Sequence, residues 1–163
     1  MIPLAAGRLW IGQAGGVVTV GVKFFARVLA PPFGCALTDI EWRNFRMTIQ
    51  RIDVGPRMSQ AVVHGDTVYL AGVVAEERKG RSVADQTRQV LARIDQLLTQ
   101  AGSDKSKLLK ATIWLRDIAS FDEMNSVWDA WVTPGETPAR ACVESRMAAS
   151  DILVEIQVTA AKS

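Results

Sequence analysis

From Gln60 onward, apolar positions recur with periods that separate strands from helices. Gln60-Ala-Val-Val-His64 and Thr67-Val-Tyr-Leu-Ala71 are β-prone runs joined by Gly65-Asp66, a two-residue connection that suits a tight hairpin. After a charged loop, Ser82-Val-Ala-Asp85 opens a helix in the manner of a capping box. Val83, Thr87, Val90, Leu91, Ile94, Leu97, Leu98 and Ala101 then follow at helical spacing until Gly102. Leu109, Ala111, Ile113 and Leu115 alternate with Lys110, Thr112, Trp114 and Arg116, the pattern of a half-buried strand. Ser120-Phe-Asp-Glu123 is a second capping-box sequence. The helix behind it carries Phe121, Met124, Val127, Trp128 and Trp131 on one stripe and ends at Thr133-Pro134-Gly135. Two more strands close the pattern, Arg140 to Ser145 and Ile152 to Ala160, the latter with Ile152, Val154, Ile156, Val158 and Ala160 on one face.

The predicted order is β-β-α-β-α-β-β, with a further strand available at Thr48 to Ile52. The economical architecture is α+β: a mixed sheet with two helices packed on one face. Two helices leave the other face with mixed apolar and polar side chains, and homo-oligomerisation through that face is the natural remedy.

At 163 residues, 48% hydrophobic and 22% charged, the chain is expected to form one globular domain with an appendage. The charge locates the appendage. Before Met47, Arg8, Lys23, Arg27, Arg43 and Arg46 face only Asp39 and Glu41, a net of +3, whereas the remainder carries −1. This segment shows no sustained periodicity, so residues 1–46 are expected to lie outside a domain at 47–163, with Met47 as the natural start. Two targeting readings are weaker. Gly12, Gln13, Gly15, Gly16 and Thr19 dilute the apolar run that a secretory signal needs, and the serines of a mitochondrial transit peptide are missing before Ser59. A cytoplasmic protein is expected, with a mitochondrial one as the alternative if residues 1–46 are a transit peptide. A variant that begins at Met47 should stay soluble, with a thermal midpoint within about 5 °C of the full chain, measured by calorimetry.

Several function classes lose support at this point. Two cysteines, Cys35 and Cys142, with the single His64 cannot complete a tetrahedral zinc site. No apolar run reaches the roughly 18 residues of a membrane span, because Arg8, Lys23 and Arg27 interrupt it. The longest basic run, Arg78-Lys79-Gly80-Arg81, is short and follows two glutamates, so nucleic acid is not an expected partner. Gly12 to Gly16 lacks the strand and helix context of a phosphate cradle. Cys142 has no evident base and fits a small buried residue, and His64 fits a hairpin end. Arg140, which opens an apolar strand directly after Pro138-Ala139, is either a solvated charge or a guanidinium placed to clamp a carboxylate with two hydrogen bonds. Glu155, mid-strand between Val154 and Ile156, is either solvent-facing or held at a subunit interface.

Thr137-Pro-Ala-Arg-Ala-Cys-Val-Glu144, together with Ala61-Val-Val-His-Gly-Asp-Thr-Val-Tyr-Leu-Ala-Gly72, Gln86-Thr-Arg-Gln-Val-Leu91 and Val154-Glu-Ile156, closely resembles the RidA/YjgF family, also labelled endoribonuclease L-PSP or translation inhibitor. The resemblance covers about residues 50 to 161. It implies a trimer of chorismate-mutase-like α+β subunits whose sheets form a central barrel, with a site in each intersubunit cleft. It also implies cofactor-free hydrolysis of enamines and imines, such as 2-iminopropanoate and 2-iminobutanoate, to 2-oxo acids and ammonia.

By the same resemblance, Arg140 is the residue that binds the substrate carboxylate, and Cys142 offers its backbone carbonyl to the attacking water. Glu155 orients or activates that water, and Asn125 is a polar residue near the cleft. An imine is already electrophilic, so holding it by its carboxylate beside a water suffices, and no metal or cofactor is needed. The chain departs from the family at Arg57-Met58, where deaminating members carry a tyrosine, and at Ala71 and Val73, where they carry serine and glutamine. Met58 and Ala71 therefore stand at substrate-binding positions in a divergent subgroup. Two classes of function follow: an enamine/imine deaminase, or a non-catalytic module that captures a small carboxylate in the same clefts. A ribonuclease lacks support, since a His pair, a basic groove and an aromatic platform are all missing.

Overall fold

The computed structural model describes residues 48–163 in full and, before them, the backbone of 9–14 and 17–22. The chain divides into two units, Met1–Arg43 and Asn44–Ser163. In the first, β1 (Leu9–Ala14) and β2 (Val17–Val22) pair antiparallel, although no strand is expected there. Gly15-Gly16 between them is a dipeptide that favours a two-residue hairpin, a local signal that outweighs weak periodicity.

The second unit is a seven-stranded mixed sheet with two helices. Its strands are β3 (Ile49–Val54), β4 (Ser59–His64), β5 (Thr67–Leu70), β6 (Val73–Val74), β7 (Leu108–Leu115), β8 (Ala139–Glu144) and β9 (Val154–Ala161). They lie in the order β3-β4-β5-β9-β7-β8, with β6 also on β9. All pairings are antiparallel except β7 with β8, which α2 (Phe121–Trp131) connects by a crossover. Two elements extend the expected order: β3 is formed, and β6 lies in what looked like a charged loop. Gly65, in the left-handed region at φ 58°, closes the β4–β5 turn, with His64 opposite Thr67.

The core lies between the sheet and α1 (Val83–Gln100). All the helix positions named from spacing are buried, and Ser82 Oγ accepts the Asp85 N–H at 3.1 Å as an N-cap. Gly102, at φ 76°, terminates the helix, and the following Ser103 N–H returns to the Leu98 carbonyl at 2.9 Å.

The structure corrects two local expectations. Leu109 is 52% exposed and Leu108 is buried in its place, because a register shift between Leu108 and Lys110 inverts the alternation at the start of β7. Ser120 does not cap α2 with its side chain. A single 3-10 turn over Ile118–Ser120, capped by Asp117, leads into the helix instead. The Glu123 carboxylate, freed from the capping box, accepts the Ala84 N–H at 2.8 Å at the start of α1, where a negative charge suits the helix dipole.

Gln86 is a polar residue sealed inside the α1 stripe. Its amide donates to the carbonyls of Arg78 at 3.2 Å and Asp151 at 2.9 Å and accepts the Leu153 N–H at 3.0 Å, tying two loops to the helix. Gln86→Leu should therefore destabilise the domain by about 2–4 kcal/mol in denaturant titration, since it strands buried backbone groups that water cannot reach. A loss below about 0.5 kcal/mol would show that these groups find other partners.

Candidate active site

Arg140 stands on β8, the last strand of the sheet on the side away from β3. The far edge of β8 carries backbone groups with no strand partner among the described residues, where a ligand or another chain can bind. Arg140 is opposite Ala111 and Cys142 is opposite Ile113, so alternation places both on the helix-covered face. There α2 provides a seat. Arg140 Nη1 donates to Asn125 Oδ1 at 2.8 Å, and the guanidinium carbon lies 5.3 Å from the Trp128 ring centroid and 5.9 Å from that of Phe121. Nε and Nη2 make no hydrogen bond among the described residues, which leaves a two-pronged edge for a carboxylate.

Cys142 is half-buried. Burial pushes its thiol up, and the Arg140 guanidinium pulls it down by a smaller amount. The sulfur is therefore a poor nucleophile, and the residue expected to be buried is only half-buried.

Glu155 belongs to the opposite face. It is opposite Trp114 of β7 and Val74 of β6, while its neighbours Val154 and Ile156 are fully buried against the helices. Its carboxylate lies against Gly72: a Cβ added there would fall within it. A side chain at this position has room only if the flexible end of Glu155 moves aside.

Arg140, Asn125 and Cys142 are therefore brought together, and Glu155 is joined with Gly72. No hydrogen bond or ion pair links the two groups within this chain among the described residues. Ala71 lies beside Gly72, its N–H donating to the Gln60 carbonyl at 2.9 Å. Met58, 50% exposed, sits at the β3–β4 turn, where its carbonyl accepts the Gly55 N–H at 2.8 Å. Val73, 4% exposed and opposite Ile156, is a core residue. Sequence reasoning assigned Phe121 and Trp128 to the helix stripe and missed their second role as the walls of the guanidinium seat. Their spacing with Asn125 at i, i+4 and i+7 is the signal that could have revealed it. Among the described residues, no group of three or more His, Cys, Asp or Glu side chains could hold a metal ion, and no helix is long and apolar enough to cross a membrane.

Fold and site together define a chorismate-mutase-like α+β domain that presents a seated guanidinium beside an open strand edge. A family model described as Endoribonuclease L-PSP matches residues 48–162, and the chain belongs to this family, also called YjgF/RidA. It is 43% identical over 115 residues to the RutC family protein YoaB of Escherichia coli K12, spanning 71% of this chain and 99% of that one. A RutC family protein of Haemophilus ducreyi is 42% identical over 113 residues, spanning 69% and 96%. Among solved structures, a YjgF family member from Neisseria meningitidis superposes with a TM-score of 0.70 at 49% identity, covering 72% of this chain and 97% of that one.

Proposed function

We propose that this protein hydrolyses small 2-imino acids, such as 2-iminopropanoate and 2-iminobutanoate, to 2-oxo acids and ammonia without a cofactor, in clefts between the subunits of a homotrimer. The observation that carries the reading is the Arg140 guanidinium, fixed by Asn125 and Trp128 with one edge free. That edge would hold the substrate carboxylate by two hydrogen bonds. Glu155 would take a proton from a water as its oxygen bonds to the imine carbon and then return it to nitrogen. The carbinolamine so formed would then pass its hydroxyl proton through Glu155 to the same nitrogen as the C–N bond breaks and the C=O bond forms, releasing ammonia and leaving the 2-oxo acid. The Cys142 backbone carbonyl, Met58 and Ala71 are proposed to line the cleft.

Face parity supports the intersubunit placement. Arg140 lies on the helix side of the sheet and Glu155 on the uncovered side, so two copies are needed to bring them to one substrate. The face opposite the helices is the proposed contact surface; among the described residues Tyr69 is 48% exposed there beside Thr112, Gln157 and Thr159.

The test is to generate 2-iminobutanoate in situ with an amino-acid oxidase and follow its disappearance with and without the protein. Acceleration proportional to protein concentration supports the reading. Binding of 2-oxobutanoate with no acceleration would favour the carboxylate-binding module instead.

Within this mechanism, Glu155→Gln should lower kcat by about 10²-fold or more with KM largely kept, because it disables water activation and spares the carboxylate clamp. Gly72→Ala should do the same from a distance, since its Cβ displaces the carboxylate end of a flexible side chain at little cost to stability. A Gly72→Ala protein with parental kcat would show that the position of Glu155 is not critical.

A further inference from the structure

We propose that Trp128 is a positioning residue whose indole face fixes the plane of the Arg140 guanidinium and thereby sets affinity for the substrate carboxylate; this rests on the reading of Arg140 as the clamp. Trp128 is 4% exposed and held on the core side of α2. Its neighbour Trp131 lies at a centroid distance of 5.4 Å, and Trp131 Nε1 donates to Asp95 Oδ2 of α1 at 2.9 Å, so packing on both sides limits rotation of the Trp128 ring. Arg140 projects from an exposed strand edge. A long side chain there would sample many rotamers unless something selected one.

The Asn125 bond alone restrains one Nη atom and allows the guanidinium to swing about it. The indole face at 5.3 Å supplies the missing restraint, since an aromatic face attracts the flat cation. Asn125 and Trp128 together define both the position and the plane of the free Nε–Nη2 edge. Phe121, at 5.9 Å and half-buried, adds a second aromatic wall. Pre-setting this edge removes an ordering cost that each binding event would otherwise carry, which shows in ground-state and transition-state binding alike. Its loss should therefore raise KM and spare kcat.

Two substitutions separate this role from bulk packing. Trp128→Phe keeps an aromatic face, whereas Trp128→Leu keeps an apolar side chain and removes the face. Trp128→Leu is expected to weaken 2-oxobutanoate binding by calorimetry about fivefold to thirtyfold, and to raise KM for 2-iminobutanoate to match, with kcat within about twofold of the parent. Trp128→Phe should retain affinity within about threefold. A readout independent of ligand accompanies these: the Arg140 Nε–H resonance, assigned by its loss in Arg140→Lys, should be ring-current shifted in the parent and in Trp128→Phe and move toward the solvated arginine position in Trp128→Leu.

Parental affinity in Trp128→Leu, or an unmoved Nε–H resonance, would overturn the positioning role and leave the clamp standing. Equal losses in the Phe and Leu variants would also overturn it, by making bulk the cause. Failure of the parent itself to bind 2-oxobutanoate would overturn the clamp and the positioning role together.

Discussion

Arg140→Ala should lower kcat/KM for 2-iminobutanoate roughly 10²- to 10³-fold while the domain stays folded. A bidentate guanidinium–carboxylate clamp closed inside the proposed cleft would be worth about 3–4 kcal/mol in the transition state, at about 1.36 kcal/mol per decade of rate. Arg140→Lys should fail nearly as badly. A lysine ammonium restores the charge, but it is a point donor that cannot form the two-pronged contact and lacks the planar guanidinium that lies over the Trp128 ring. The cost to stability should be small, because the side chain is exposed and its stacking contributes about 0.5–1 kcal/mol at such a site. Steady-state rates and thermal midpoints of the two variants decide the matter: a parental kcat/KM in Arg140→Ala would remove Arg140 from the site.

Much of this architecture was legible because burial imposes periodicity. The α1 stripe from Val83 to Ala101 and the β9 alternation from Val154 to Ala160 each keep one apolar face, and both are sealed in the structure. What escaped depends on pairing, which a single chain does not display. Leu109 was misplaced because the β7–β9 register shift between Leu108 and Lys110 breaks the alternation at that point. Gln86 interrupts an apolar stripe and is tolerated only because three backbone groups from two loops converge on it. The site followed the same division. Arg140, Cys142 and Glu155 stood out by their positions in the pattern and took their roles, with Asn125, from the resemblance, whereas the close approach of Glu155 to Gly72 arises from β6 lying on β9. Likewise Val73 is a core residue because it shares a face with Ile156. Trp128 was counted once, as core, because a periodicity assigns each residue to one face; its ring packs inward with the core and also offers a surface to the guanidinium.

Mixed assemblies of Arg140→Ala and Glu155→Gln should recover activity that neither variant has alone. Arg140 and Glu155 lie on opposite faces of the same sheet, so a cleft holding both would draw Arg140 from one subunit and Glu155 from the next. Such a contact is head-to-tail, and in the proposed trimer it would close into a ring. When the two variants are co-expressed with different tags and only species carrying both tags are kept, each ring of three contains one directed pairing of an intact Arg140 with an intact Glu155. About one cleft in three is then restored, giving roughly a third of parental kcat/KM against a background lower by about 10²-fold or more for each pure variant. Light scattering should give a mass near three times the 17.8 kDa chain for parent and mixture alike. The outcome is directional. If both residues served a substrate from the same subunit, every chain in the mixture would carry a lesion and its activity would equal the background of the pure variants. That result, or a monomeric mass at micromolar concentration, would place the chemistry within one subunit and overturn the shared cleft.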